Sequence, residues 1–186
     1  MDKGIIIRQV NSPTHFDCYV DAEFAGLYGH EDPQDPTSVK SRVGYVFALG
    51  GNPVHWVSKL QSTILLSTIE AEYVVLSMAL REFITMRLTA MELCKHLGVD
   101  IGMQGTMLST VFEDNNGCIS ITTAKRMNPR TKHIATVYHW FHSFVGDEPD
   151  KIKIQKINTS VQWADMFTKP LEKEIFVKIR KLIMGW

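Results

Sequence analysis

Apolar and polar residues alternate from Phe16 to Phe24. Cys18, Val20 and Ala22 fall on one side and Tyr19, Asp21 and Glu23 on the other, the two-residue period of a strand. Residues 26–41 break the pattern with Gly, Pro and Asp and predict a long loop. Val43 to Leu49 is apolar on both faces, as expected of a central strand covered above and below. Gly50-Gly51-Asn52 supplies the residues a tight hairpin needs, so Val54 to Leu60 is expected to return antiparallel. The period then changes. From Thr68 to Leu97, Ala71, Val74, Val75, Met78, Ala79 and Ile84 recur at helical spacing, with a capping box of Ser67 and Glu70 at the start and Gly98 as the stop. A segment this long is expected either as one helix or as a broken pair.

Leu108 to Glu113 predicts a fourth strand, and Asp114-Asn115-Asn116-Gly117 a turn into a short helix over residues 117–125. Arg130 to Val145 predicts a further helix, aromatic on one side through Tyr138, Phe141 and Phe144. A short fifth strand is expected from Ile152 to Ile157. Thr159-Ser160-Val161-Gln162 repeats the capping-box logic and predicts a last helix that Pro170 interrupts or restarts. Three strands, a helix, a strand, helices, a strand and a helix make an α/β domain.

Composition narrows the function without naming it. The 186 residues carry 20 basic and 20 acidic side chains, with 45% hydrophobic residues, so wholesale disorder is excluded. A chain of zero net charge does not hold nucleic acid by bulk charge, although a local basic stripe is compatible with it. Cys18, Cys94 and Cys118 form no CxxC pair, which argues against a disulfide framework or a structural zinc and for a reducing compartment. The longest charge-free run, Val43 to Ser58, is broken by a turn and too short for a membrane span. A soluble chain without a signal peptide is expected, with residues 1–15 as a linker or N-terminal extension and residues 16–186 as the domain.

Most carboxylates are surface charge or helix caps; a few are not so easily explained. Asp21 lies inside a strand, where Asp is depleted. Glu70 is accounted for by its capping box, whereas Glu72 projects about 200° around the helix from it. Asp114 is well placed to be an N-cap, an ordinary structural role for Asp. Asp165 sits among Trp163, Ala164, Met166 and Phe167, past the first turn of the expected helix. Four carboxylates at strand and helix starts would repel each other unless divalent cations lay between them. Magnesium wants such oxygen ligands, and a pair of ions about 4 Å apart can clamp both oxygens of a reacting phosphodiester. Four acids can be chosen from twenty in many ways, so spacing alone leaves this as one candidate.

Several separated segments sharpen it. They are Asp21-Ala22-Glu23-Phe24-Ala25-Gly26, Ser41-Arg42-Val43-Gly44-Tyr45-Val46, Ser58-Lys59-Leu60-Gln61 and Leu66-Ser67-Thr68-Ile69-Glu70-Ala71-Glu72-Tyr73. Glu113-Asp114-Asn115, then Arg130-Thr131-Lys132-His133-Ile134 with Tyr138-His139, and Ala164-Asp165-Met166-Phe167-Thr168-Lys169-Pro170-Leu171 follow in order. Together they resemble the ribonuclease H domain of copia-type LTR retrotransposon polyproteins, over about residues 16–175. The resemblance implies a ribonuclease H-like fold: a five-stranded mixed sheet, its first three strands antiparallel, flanked by helices. It also implies a quartet of carboxylates binding two Mg2+ or Mn2+ ions, carried here onto Asp21, Glu72, Asp114 and Asp165.

The implied activity is endonucleolytic hydrolysis of the RNA strand of an RNA–DNA hybrid during reverse transcription. Specificity would come from the 2′-hydroxyl and duplex shape rather than from base edges. Lys59, Gln61, Ser67, Asn115, Arg130, Lys132 and His133, within or beside the matched segments, are candidate contacts to the hybrid. Arg130 and Lys132 belong to a basic run with Lys125 and Arg126. The implied partner is the reverse transcriptase domain of the same polyprotein, with no membrane. The implied location is the cytoplasm, in a virus-like particle, or the nucleus. Three departures stand out: Glu23 where the family usually has Asp, a longer following loop that carries Glu31, Asp32 and Asp35, and no counterpart of the His-bearing loop that cellular enzymes place before the last Asp, since residues 158–162 are too few. The rival readings are another nuclease or strand-transfer enzyme of the same fold, and a catalytically silent connection or binding module.

Overall fold

The computed structural model describes residues 4–9, 15–26, 29, 34–35, 37–101, 105–124 and 139–186. Its centre is a five-stranded sheet of β1 (His15–Glu23), β2 (Arg42–Leu49), β3 (Asn52–Leu60), β4 (Leu108–Glu113) and β5 (Ile152–Lys156). The spatial order is β3-β2-β1-β4-β5. β1, β2 and β3 pair antiparallel, while β4 runs parallel to β1 and β5 parallel to β4. This is the mixed sheet expected, with each predicted strand present and its ends shifted by two residues at most.

The two faces of β1 are used as its alternation requires. Phe16, Cys18, Val20 and Ala22 enter the larger core with Val43, Tyr45 and Phe47 of β2 and the buried face of α1 (Thr68–His96). Phe16 stacks on Phe83 of that helix, with ring centroids 4.7 Å apart. On the opposite face Val46 and Ala48 pack with Trp163, Ile179 and Ile183, and Tyr19 stacks on Trp163 at 4.4 Å. β2 is thus covered on both faces, as its continuous apolar run requires.

α1 is a single unbroken helix. Ser67 Oγ accepts from the Glu70 amide, and the chain leaves through Gly98 in the left-handed region (φ 66°). The reciprocal arm of the capping box differs slightly from expectation, because the Glu70 carboxylate accepts from the Leu66 amide rather than from Ser67. α2 (Asn116–Thr123) is the short helix after β4, and α3 (Lys173–Met184) restarts the chain beyond Pro170.

Two expectations need correction. Thr159–Gln162 opens no α-helix: residues Thr159–Val161 and Trp163–Phe167 are single turns of 3-10 helix. Of the helix expected from Arg130 to Val145, residues 130–138 lie outside the described residues, and His139–Phe144 is 3-10. Trp56 is half exposed on β3, at the sheet edge. Within the N-terminal segment, the Ile6 amide donates to the Met184 carbonyl and Trp186 Nε1 to the Gly4 carbonyl.

Candidate active site

The site forms where the two central parallel strands end. Asp21 stands near the C-terminal end of β1, Glu113 ends the neighbouring β4, and Asp114 follows it. Glu72, in the second turn of α1, reaches the same place across the strand end. One carboxylate oxygen from each of Asp21, Glu72 and Asp114 lies within 4.8 Å of the others. Asp21 and Glu72 are 2% and 4% exposed, buried far beyond what a solvated carboxylate would be, while Asp114 is half-buried. Asp165 is also buried, beside Asp21 and outside the trio. Lys169 links the two, its Nζ 3.2 Å from Asp165 Oδ1 and 3.6 Å from Asp21 Oδ1. The Thr168 hydroxyl donates to Asp21 Oδ2. Four of the sequence-predicted residues therefore converge, three as a compact trio and Asp165 through a lysine.

Local structure explains why these acids are free to converge. Asn115, not Asp114, caps α2: its Oδ1 accepts from the Gly117 and Cys118 amides at 2.8 and 3.1 Å. The capping role that would have explained Asp114 is filled by its neighbour, and Asp114 accepts instead from the Thr159 hydroxyl at 2.7 Å. Gln162 is wholly buried, and its amide nitrogen donates to the carbonyls of Val20 (2.9 Å) and Phe112 (3.3 Å), the residues preceding Asp21 and Glu113. Gly44 pairs with Asp21 across the β1–β2 ladder. A Cβ there would lie 2.6 Å from Thr168 Cγ2 and 2.9 Å from the Ala164 carbonyl, so only glycine lets the Asp165 turn press against the sheet.

Burial dominates the electrostatics. It raises the Asp21 carboxyl, against the pull of Lys169 and Thr168. It holds Glu72 well above the usual carboxylate range, reinforced by Glu113, Asp21 and Asp114. Asp165 is pushed up to about 7 by burial and by Asp21, and Glu113 to about 8 by burial, although the Asn115 amide opposes this. Lys169 loses solvation as well, but Asp21 and Asp165 outweigh that loss and hold its pKa above the ordinary lysine value. Glu72 Oε2 and Glu113 Oε2 are buried without a hydrogen-bond partner, whereas Asp165 Oδ1 has the Lys169 ammonium beside it. Orphaned oxygens in a crowded set of carboxylates cost free energy in this state. An all-oxygen donor set fits Mg2+ or Mn2+, which would satisfy both the charge and the lone pairs.

The remaining sequence candidates are placed differently. Lys59 is exposed on β3. Gln61 is 2% exposed, and its amide nitrogen approaches the Ala71 carbonyl at 3.4 Å, tying the end of β3 to the helix that carries Glu72. Ser67 and Asn115 are both occupied as helix caps. Arg130, Lys132 and His133 lie outside the described residues. Sequence reasoning passed over Glu113, Thr168, Lys169 and Gly44 as site-builders, although each stood inside a quoted segment. Gln162 does cap a turn, since its Oε1 accepts from the Ala164 amide at 3.4 Å, but its amide nitrogen has the further role of tying β1 to β4.

No family model matches the chain. Over 165 residues it is 33% identical to the retrovirus-related Pol polyprotein from transposon TNT 1-94 of Nicotiana tabacum, across 89% of this chain and 11% of that polyprotein. The chain is homologous to one segment of transposon Pol polyproteins. The corresponding polyprotein from transposon RE2 of Arabidopsis thaliana is 29% identical over 182 residues, 98% of this chain and 11% of its own length. The chain spans about a tenth of the length of these relatives. Among solved structures, RNase H1 from the halophilic archaeon Halobacterium salinarum NRC-1 superposes with a TM-score of 0.48 at 14% identity, over 83% of this chain and 94% of that one. The resemblance drawn from the motifs is borne out by the polyprotein relatives, and the sheet order and strand directions are those it implies for the fold.

Proposed function

We propose that this segment is the ribonuclease H of a retrotransposon polyprotein, an endonuclease that hydrolyses the RNA strand of RNA–DNA hybrids formed in reverse transcription. The observation that carries the reading is the trio of Asp21, Glu72 and Asp114 within 4.8 Å at the ends of parallel strands, with Asp165 beside it. Asp21, Glu72 and Asp114, with Asp165 beside them, would hold the ions. Bound Mg2+ or Mn2+ would lower the pKa of a water and stabilise charge on the departing oxygen. The chain's own residues do the rest. Gln162 and Gly44 fix where Asp21 and Asp165 sit, and Thr168 orients the Asp21 carboxylate. Thr159 steadies Asp114.

Zero net charge supports weak, salt-sensitive hybrid binding by the isolated segment, with affinity added by a polymerase domain in the same polyprotein. Cleavage of labelled hybrid, duplex RNA and duplex DNA side by side tests the reading. Cutting confined to the RNA of the hybrid supports it. Cutting of duplex DNA points to a strand-transfer enzyme, and well-folded protein that cuts nothing points to a silent module. No helix among the described residues is long and apolar enough to cross a membrane.

A further inference from the structure

The two halves of the carboxylate cluster differ. In one, Asp21, Glu72 and Asp114 present oxygens to a common point, and Glu72 Oε2 has no hydrogen-bond partner. In the other a cation is already in place: Lys169 Nζ stands 3.2 Å from Asp165 Oδ1 and 3.6 Å from Asp21 Oδ1. The lysine is delivered there by the chain itself, four residues after Asp165, as the 3-10 turn Trp163–Phe167 ends. Its side chain is 30% exposed and borders a groove of about 570 Å3 lined also by Arg42, Ser58 and Phe167, which gives the ammonium a path outward.

We propose that Lys169 is a resident counter-cation that a divalent ion must displace from the Asp21–Asp165 half of the site, so that the two halves fill in order, Asp21–Glu72–Asp114 first. This rests on the metal-binding reading above. The exclusion is steric and electrostatic. A divalent ion held at ~2.1 Å from Asp21 and Asp165 oxygens would take the space that Nζ fills, and two cations that close repel strongly in a site shielded from water. Among the described residues no cation is paired with Glu72, and an ion bound there, by adding positive charge next to Asp21, weakens the hold on Lys169. Lys169 thus neutralises two buried carboxylates while the segment is metal-free, and sets a threshold of ion concentration for the complete site.

The test is Mn2+ binding, read by the electron paramagnetic resonance of free Mn2+ and by calorimetry, on the wild-type chain, Lys169→Gln and Lys169→Arg. Wild type is expected to bind one ion tightly and a second weakly. Lys169→Gln should tighten the second step about tenfold and leave the first nearly unchanged, while Lys169→Arg should stay close to wild type. Thermal melts in chelator confirm that each variant folds. Two ions bound with the same second affinity in Lys169→Gln as in wild type, or a weaker one, overturns the proposal and leaves the metal-binding reading intact. No Mn2+ bound by any of the three folded proteins overturns both.

Discussion

The side-chain amide of Gln162 donates to the main-chain carbonyl of Val20 at 2.9 Å, one residue before Asp21. Its second contact, to Phe112 at 3.3 Å, is the same device on β4, so one buried amide spans the two strand ends from which Asp21, Glu113 and Asp114 emerge. Truncation to Gln162→Ala leaves two carbonyls without this partner in a dry setting. We expect a loss of about 1–3 kcal/mol of folding free energy by urea denaturation. Mn2+ binding should weaken as well, because the strand ends are no longer tied. A destabilised variant with wild-type Mn2+ affinity would limit Gln162 to a structural role.

Gly44→Ala introduces a Cβ 2.9 Å from the Ala164 carbonyl, a main-chain atom that cannot swing aside. The turn carrying Asp165 must move away from the sheet. Cleavage of hybrid is expected to fall more than tenfold at saturating Mg2+, with a lower melting temperature. A variant as active and as stable as wild type would show that the close approach is not needed.

Asn115 and Asp114 divide two roles that a sequence allows either to play. Asn115→Ala removes the cap of α2 and should cost about 0.5–2 kcal/mol, whereas Asn115→Asp should keep most of the cap. Asp114→Asn removes no cap and should leave stability nearly unchanged or improved in chelator, since it relieves repulsion among the carboxylates. Denaturation curves of the three variants separate the roles. A large loss in Asp114→Asn would make Asp114 the structural residue.

Metal-free stability should fall as pH rises. Asp165 and Glu113 are held at about 7 and about 8 when folded, above the unfolded values of about 3.9 and about 4.3. Between those limits the folded chain keeps protons that the unfolded chain has released. Their contribution is complete below about pH 4 and is lost as pH climbs through about 7 to 8. Bound Mg2+ would take the place of those protons, so its stabilisation should grow over the same range. Thermal melts with chelator and with Mg2+ measure both trends, and Glu113→Gln should flatten the chelator curve. A chelator curve that rises from pH 5 to 8 would contradict the buried carboxyls.

The sheet was legible because its signals are local. The alternation at Cys18–Glu23, the two-faced run at Val43–Leu49 and the Gly50-Gly51-Asn52 turn each specify a strand or a reversal within a few residues. Asp21 and Glu72 could be singled out because a strand interior and a spent capping box left them without a local purpose. Thr159–Gln162 misled for the complementary reason. Its spacing is that of a cap, but the Thr159 hydroxyl serves Asp114 and the Gln162 amide nitrogen serves β1 and β4, partners 45, 142 and 50 residues away. The burial of Gln61 and Glu113 and the place of Lys169 are likewise set by long-range packing, which a one-dimensional pattern does not encode.

The most direct measurement is cleavage of an RNA–DNA hybrid labelled on either strand, with Mg2+, with Mn2+ and with chelator, by the wild-type chain and by Asp114→Asn. Metal-dependent cutting of the RNA strand alone, lost in Asp114→Asn while its melting curve is preserved, is the expected result. Undiminished cutting by folded Asp114→Asn, or cutting that persists in chelator, would contradict a metal-dependent carboxylate site at the ends of β1 and β4.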